Sequence, residues 1–505
     1  MEGEEGKLEI LMKWASEIGI SDSPTSVSDW TNLSCCLAHS LFVSHFPHAG
    51  GRGLAAVRHL RRGELVLRVP KSALMTTESL SKDHRFSTAL NAHSSLSPIQ
   101  ILIVGLLYEM DKGRSSWWYP YLMNLPRGYD ILATFGEFEK QALQVDDAIW
   151  AAKKATLKAE SEWKEANVLM KELNLKPRFL TFRAWLWASA TISSRTLHVP
   201  WDEAGCLCPV GDLFNYAAPG GEELSGVEDL DCQNHASSLK IISSQNGDAA
   251  RMLDSEQLDS HSQRLTDGGF EEDVSAYCFY ARRHYEKGEQ GSKVYQSSHN
   301  RNTSMIHGSD VLQVLLGYGT YTNLELLEHY GFLLNDNPNE KVFIPLQPEI
   351  CSSNTWPMES MYIHRSGKPS FALLSTLRIW ATPPNQRRST AHLAYSGSQL
   401  SAENEIVVMR WISKNCNSIL KSFPTSFEED RLLLNAIDKM QDSCNPLELR
   451  NVSASSAVQI RAFLEANGLQ DGEGVAELLS SRKTKRALDR WRLAIQWRVR
   501  TETKT

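Results

Sequence analysis

Two stretches of short apolar–polar alternation lie far apart in this chain: "HAGGRGLAAVRHLRRGELVLRVP" over 48–70 and "VSAYCFYARRHYEKGEQ" over 274–290. Alternation with a period of two makes a strand that buries one face. A Gly-rich turn opens the first stretch, and "RRGE" reads as a hairpin turn between two short strands. What separates the two stretches is mostly helical in period. Residues 98–112 are largely apolar, 137–174 carry charged faces and end at "LNLKP", and 178–198 are rich in aromatics. A sheet assembled from pieces so distant needs those helices packed around it. That predicts an α+β fold with short-stranded sheets and an inserted helical region, not a regular βαβ alternation.

The chain has 505 residues, more than one core usually serves, so more than one domain is expected. Residues 1–46 read as an N-terminal helical region, with Leu8, Leu11, Met12, Trp14 and Ala15 on one face. Residues 47–335 form the first domain. It carries the helical insertion at about 98–200 and a Gly-, Ser- and acid-rich insertion at about 218–270 that reads as flexible. A short helix is expected over 323–334. Residues 336–505 form a second, all-helical domain.

The formal net charge of -7 argues against a general nucleic-acid binder. No run of eighteen apolar residues predicts a membrane span. The acidic start "MEGEEGKLEI" fits neither a secretory signal nor a transit peptide, which points to the cytosol or nucleus. Nine cysteines include no CxxC pair, so reduced, buried thiols are expected and a structural zinc site is not.

Three pieces carry candidate chemistry. "GGRGLAA" (50–56) lets the backbone turn sharply or approach a ligand, but it lacks the GK[ST] of a phosphate loop and the spacing of a dinucleotide fingerprint. Arg195, Asp212 and Asn215 are polar groups in apolar company and need partners. An Asp–Arg pair supplies them, and so does a ligand bearing both a carboxylate and an amine. Tyr318, Tyr321 and Tyr330 sit among glycines in "GYGTYTNLELLEHYGF". Read singly, they are a core aromatic cluster.

Taken in order, GRGL with "GELVLRVP", D-x-x-N followed by an aromatic ring, and "GEQ…YG…NLELLEHYGF" resemble the SET-domain methyltransferases of the Rubisco large-subunit methyltransferase class. The resemblance continues through "LSAENE…FPTSFEEDRLLL" and covers most of residues 48–440. It implies a split SET domain followed by an all-α substrate-binding domain, with S-adenosylmethionine as methyl donor and no metal. It implies that Gly51, Arg52, Gly53 and Leu54 lie against the donor and that Arg195 helps hold its carboxylate. Asn215 would contact the amino-acid part, with Asp212 in the floor of the same pocket and Tyr216 beside the adenine. Tyr318 would also face the donor and align the nucleophile, while Tyr330 lines the methyl-transfer channel. The reaction is then N-methylation of a protein, with a lysine of a non-histone protein favoured; the alternatives are protein-histidine methylation or a catalytically weak SET-fold binding protein. In-line transfer from a sulfonium needs a neutral amine, and a narrow apolar channel ringed by tyrosines favours that form.

A basic, amphipathic tail at 482–500, with Leu488, Trp491 and Ile495 on one face, allows a partner or membrane-surface helix, though such a stripe more often packs on its own domain.

Two departures from the family pattern stand out. The family has Asn-His where this chain has Asn215-Tyr216, and a Tyr preserves the backbone N–H and C=O while losing the side-chain contact. The family strand also runs directly from "GEQV" to its tyrosine, whereas residues 291–313 intervene here. They begin with Gly and end with Gln, as an in-frame retained intron does when GGT and CAG carry its ends. Sequencing of transcripts across this junction is expected to find a product that joins the codons of Gln290 and Val314. A single product carrying 291–313 as ordinary exon overturns that reading.

Overall fold

A computed structural model describes residues 4–22, 37, 39–46, 51–216, 268–281, 313–316, 319–351, 356–442, 453–468 and 481–502. It forms two compact units: a helical one of Met1–Leu11, Leu74–Cys208 and Gly319–Thr505, and a strand-rich one of Met12–Ala73 and Pro209–Tyr318. Residues 218–267 of the expected flexible insertion, residues 291–312 and Tyr318 lie outside the described residues.

In chain order the strands are β1 (Leu41–Phe46), β2 (Gly51–Ala56), β3 (Leu65–Pro70), β4 (Thr196–Val199), β5 (Asp202–Leu207), β6 (Asn215–Tyr216), β7 (Gly269–Glu271), β8 (Ala276–Tyr280), β9 (Gln313–Leu316), β10 (Lys341–Phe343) and β11 (Tyr362–His364). The strand-rich unit holds a sheet of order β1-β2-β9-β6 and another of order β3-β8-β7. Asp22 Oδ2 accepts from the backbone N–H of Ser40 and Leu41 at 2.7 and 2.9 Å and so fixes the entry to β1.

Three sequence expectations change here. Within 336–505 the described residues are not all helical: β10 and β11 pair antiparallel from Lys341↔His364 to Phe343↔Tyr362. Residues 41–46 are a strand, not part of an N-terminal helix. "LFVSHF" is aromatic and β-branched, and it pairs antiparallel with β2 from Leu41↔Ala56 to Phe46↔Gly51. The "RRGE" turn exists, with Glu64 N–H donating to Arg61 O at 3.0 Å, but it does not make a hairpin of its flanks. β2 pairs with β1 and β9, and β3 pairs with β8. Residues 57–64 are too long a connection for a two-residue turn, and the Arg58–Glu64 ion pair at 2.6 Å shapes them instead.

The helices are α1 (Glu4–Glu17), α2 (Thr77–Leu80), α3 (His84–Asn91), α4 (Pro98–Lys112), α5 (Tyr119–Leu122), α6 (Glu137–Gln141), α7 (Asp146–Glu172), α8 (Phe182–Arg195), α9 (Asn323–His329), α10 (Pro348–Cys351), α11 (Phe371–Trp380), α12 (Arg387–Tyr395), α13 (Ala402–Ser422), α14 (Phe427–Asp442), α15 (Ala454–Ala466) and α16 (Arg482–Glu502). Local signals set their ends. A Ser97–Gln100 capping box with Pro98 at the first position starts α4, and Gly113 at φ +58° stops it. Thr181 caps α8, which is shorter than its aromatic run because the chain turns extended at Thr196 to begin β4. α9 is shorter than the expected 323–334 because Tyr330 and Gly331, the latter at φ +76°, end it.

The last three helices share a core of Leu433, Ile437, Phe463, Leu488, Trp491 and Ile495, with Phe138 packed against it. Trp491 stacks on Phe463 with ring centres 4.7 Å apart. The apolar stripe of 482–500 is therefore consumed within the molecule, and the partner or membrane-surface reading of that helix is withdrawn: Leu488, Trp491 and Ile495 are all fully buried. No described helix is long and apolar enough to cross a membrane. Behind this core Arg498 and Asp430 form an ion pair with both side chains at 0% exposure. Arg498 Nε donates to Asp430 Oδ2 at 2.6 Å, and a terminal guanidinium nitrogen donates to Ala142 O at 2.9 Å.

Replacing one partner strands the other in the core. Asp430→Ala is expected to cost about 3–5 kcal/mol in urea unfolding, and Asp430→Leu/Arg498→Met to recover most of it. Equal losses in the two variants overturn this account.

Candidate functional site

The strand-rich unit gathers most of the candidate residues through one short strand. β9 pairs antiparallel with β2 on one side, Leu54↔Val314 and Ala55↔Gln313, and parallel with β6 on the other, Asn215↔Leu315 and Tyr216↔Leu316. Neighbouring strands lie about 4.8 Å apart, so β2 and β6 run roughly 10 Å from each other. Gly51, Arg52, Gly53 and Leu54 thus stand on one side of β9, and Asn215 and Tyr216 on the other. Tyr318 follows β9 in sequence but lies outside the described residues.

The approach to β6 is strained. Val210, β-branched, holds φ +68° before the turn Gly211–Leu213 that carries half-buried Asp212. Such a conformation costs about 1–3 kcal/mol and persists only when surrounding packing holds it. Here buried Phe214 stacks on Phe279 of β8 with ring centres 4.9 Å apart, which clamps the residue just before Asn215. Asn215 Nδ2 is buried and, among the described residues, has no hydrogen-bond partner. An unmet buried donor is unfavourable by about 1–3 kcal/mol, so this amide calls for an acceptor. Gly51 sits at φ +94° with no heavy atom of the described residues within 4 Å of where a Cβ would stand, which leaves its backbone room to approach a ligand. Tyr216 keeps its backbone in the ladder and buries its side chain to 7% exposure. These features fit a ligand with an anionic acceptor end, which is what the carboxylate of S-adenosylmethionine offers.

The helical unit places Arg195 and Tyr330 on adjoining segments. Arg195 is the last residue of α8, and its Nε donates to Tyr129 OH at 3.2 Å. Two residues earlier, Ser193 Oγ donates to His329 O at 3.1 Å, next to Tyr330. The Tyr330 ring meets Tyr321 edge-on at 5.5 Å and Phe332 at 6.0 Å. Tyr129 was not legible as a site residue. Its only sequence signal is a polar "RGYD" between helical runs, and α8 brings it to Arg195. The 129–131 loop is held from two sides. Asp130 accepts from Arg490 Nε at 2.9 Å, and Gly331 packs so closely that a Cβ there would lie 2.9 Å from the Asp130 carbonyl carbon.

Cys206, Cys208 and Cys278 are buried. Burial, reinforced by Glu271, pushes the Cys278 thiol up to about 12, far from a nucleophilic thiolate at neutral pH. Among the described residues no group of three His, Cys, Asp or Glu could hold a metal ion.

Residues 325–462 match the family described as Rubisco LSMT substrate-binding. The fold is that of the solved SET domain of LSMT bound to lysine and AdoHcy, with a TM-score of 0.54 at 17% identity over 90% of this chain and 87% of that one. Sheet, aromatic segment and helical region together define a SET-domain protein of the Rubisco LSMT type, and the chain belongs to that family. In particular it is 54% identical over 504 residues to Protein SET DOMAIN GROUP 40 of Arabidopsis thaliana, which spans 99% of this chain and 94% of that protein. It is also 24% identical over 482 residues to the actin-histidine N-methyltransferase of Xenopus tropicalis, covering 88% of this chain and 67% of that protein.

Gly331→Ala is expected to lower stability by about 1–3 kcal/mol through the left-handed backbone and the clash with Asp130. Thermal unfolding of the full chain measures it, and an unchanged midpoint sinks the claim.

Proposed function

We propose that the chain is an S-adenosylmethionine-dependent protein N-methyltransferase acting on a lysine of a non-histone protein. The observation that carries this is the buried Asn215 Nδ2 at the start of β6, without a partner among the described residues, across β9 from the strand that begins at Gly51. Support comes from the similar solved structures of Rubisco LSMT, one of them bound to AdoMet and another to sinefungin and monomethyllysine.

The donor supplies an electrophilic methyl group on a sulfonium. The family resemblance assigns Asn215, whose Nδ2 has no partner among the described residues, and Arg195, whose guanidinium is oriented by Tyr129, to the donor's amino-acid end, where each would give a hydrogen bond to the carboxylate. The strand at Gly51–Leu54 offers main-chain groups unobstructed at Gly51. Tyr216 serves through its backbone N–H and C=O, so the exchange of His for Tyr leaves donor binding intact. Tyr330, with Tyr321 and Phe332 around it, supplies an aromatic wall that disfavours a charged ammonium and keeps the attacking amine neutral. Tyr318 aligns that amine.

A histidine target is the second reading, favoured by the similarity to an actin-histidine N-methyltransferase. Imidazole also attacks the methyl carbon through a neutral nitrogen, so the same wall serves either acceptor.

Calorimetric titration of the full chain with S-adenosylmethionine is expected to show binding that weakens about tenfold in Asn215→Ala and in Arg195→Ala, the loss of one charge-assisted hydrogen bond. Tritiated donor added to a cell lysate is expected to label a protein band yielding methyl-lysine on acid hydrolysis. Methyl-histidine selects the second reading. Donor binding without any labelled band makes the chain a SET-fold binding protein, and absence of donor binding overturns the proposal.

A further inference from the structure

Away from the candidate donor residues, the helical unit contains an open pocket of about 460 Å³ between α1, the segment after α5 and the start of α8. In a chain of net charge -7, its rim carries four cations, Lys7, Arg127, Arg178 and Arg183, and no acidic residue lines it. Arg127, Arg178 and Arg183 are exposed, and none of the four forms an ion pair among the described residues. The first turn of α8 lines the same pocket, so the positive end of the helix dipole adds to the cations. The floor is apolar and includes Phe179 and Trp187. It is also fixed: Trp187 Nε1 donates to Pro126 O at 2.9 Å, the Arg178 guanidinium sits 4.7 Å over the Phe179 ring, and Asn124 Nδ2 holds Lys7 O at 2.9 Å.

Four cations without an ion pair among the described residues repel one another at this rim. Three of them are arginines, whose forked donors match phosphate oxygens two at a time. An aromatic floor under such a rim suits a ligand with an apolar body as well as a charged end, and the volume is that of an ordinary small-ligand pocket. α8 is about 21 Å long at 1.5 Å per residue, which sets this pocket well apart from Arg195 at the helix's other end.

We propose that this pocket binds an organic phosphate of nucleotide size, its phosphates on the arginine rim and its ring on the Phe179–Trp187 floor. The full chain is titrated calorimetrically with uridine triphosphate, a pyrimidine chosen so that an adenine site is not probed, and in parallel with inorganic pyrophosphate and a poly-glutamate peptide. Saturable binding of uridine triphosphate below about 1 mM is expected, weakening with added salt as exposed charge pairs do. Pyrophosphate, lacking the ring, should bind about tenfold more weakly. Arg127→Ala/Arg183→Ala should lose about tenfold while keeping the wild-type melting temperature, because both side chains are exposed and unpaired. Asn215→Ala should bind as wild type does, so that failure here and failure of the methyl-donor reading remain distinguishable. No saturable binding, binding unaffected by the double arginine substitution, pyrophosphate equal to the nucleotide, or a preference for poly-glutamate each overturns the proposal.

Discussion

The pairing of β9 on both its edges is the constraint on which the candidate donor site depends. A four-residue strand joins β2 antiparallel on one side and β6 parallel on the other. Without it, the glycine strand near residue 51 and the Asn215-Tyr216 pair have no ladder in common. Three segments separated by most of the domain must therefore meet before any of them is useful, and the chain meets the entropic cost of closing those loops only when the whole sheet forms. The register also bears on the unusual segment at 291–313. Gln313 stands opposite Ala55, and Gln290 would take the same place if Gln290 were joined directly to Val314.

The helical unit solves a different problem, which is to hold a loop still. Asp130 is gripped by Arg490 from the last helix, Gly331 leaves room for its backbone, and Tyr129 beside it orients Arg195. The last helix is itself anchored by the buried Arg498–Asp430 pair and by Trp491 stacked on Phe463. A buried ion pair adds little net stability compared with an apolar pair, but it leaves few alternative registers for the helix that carries it. The position of Arg195 thus rests on residues as far along the chain as Arg498.

Around Asn215 the molecule spends stability on geometry. Val210 in a left-handed conformation and an unmet Asn215 amide are each unfavourable, and both fall within six residues of "PVGDLFNY". Phe214 against Phe279 is what compensates. Concentration of strain and an unsatisfied donor at one strand end is the pattern expected where a ligand completes the hydrogen bonding. Tyr216 itself contributes to the ladder through its backbone, and its ring is buried.

The helices over 98–112, 137–174 and 178–198 were legible in the period of the residues themselves, but their ends were less so: the helix expected over 323–334 ran through Gly331, which stops it. The α+β class followed from strand-like runs too far apart to alternate with helices. Strand partners were not legible. Residues 41–46 read as helix, and 51–70 read as a hairpin, because pairing energy comes from segments that local pattern cannot see. Of the candidate site, Asn215 and Arg195 stood out as polar residues in apolar runs, whereas Tyr129 and the cation-rimmed pocket did not. Lys7, Arg127 and Arg183 are unremarkable surface charges in sequence. Only the packing of α1, the segment after α5 and α8 brings them to one rim, because like charges converge where the fold, and not the local chain, decides who is neighbour to whom.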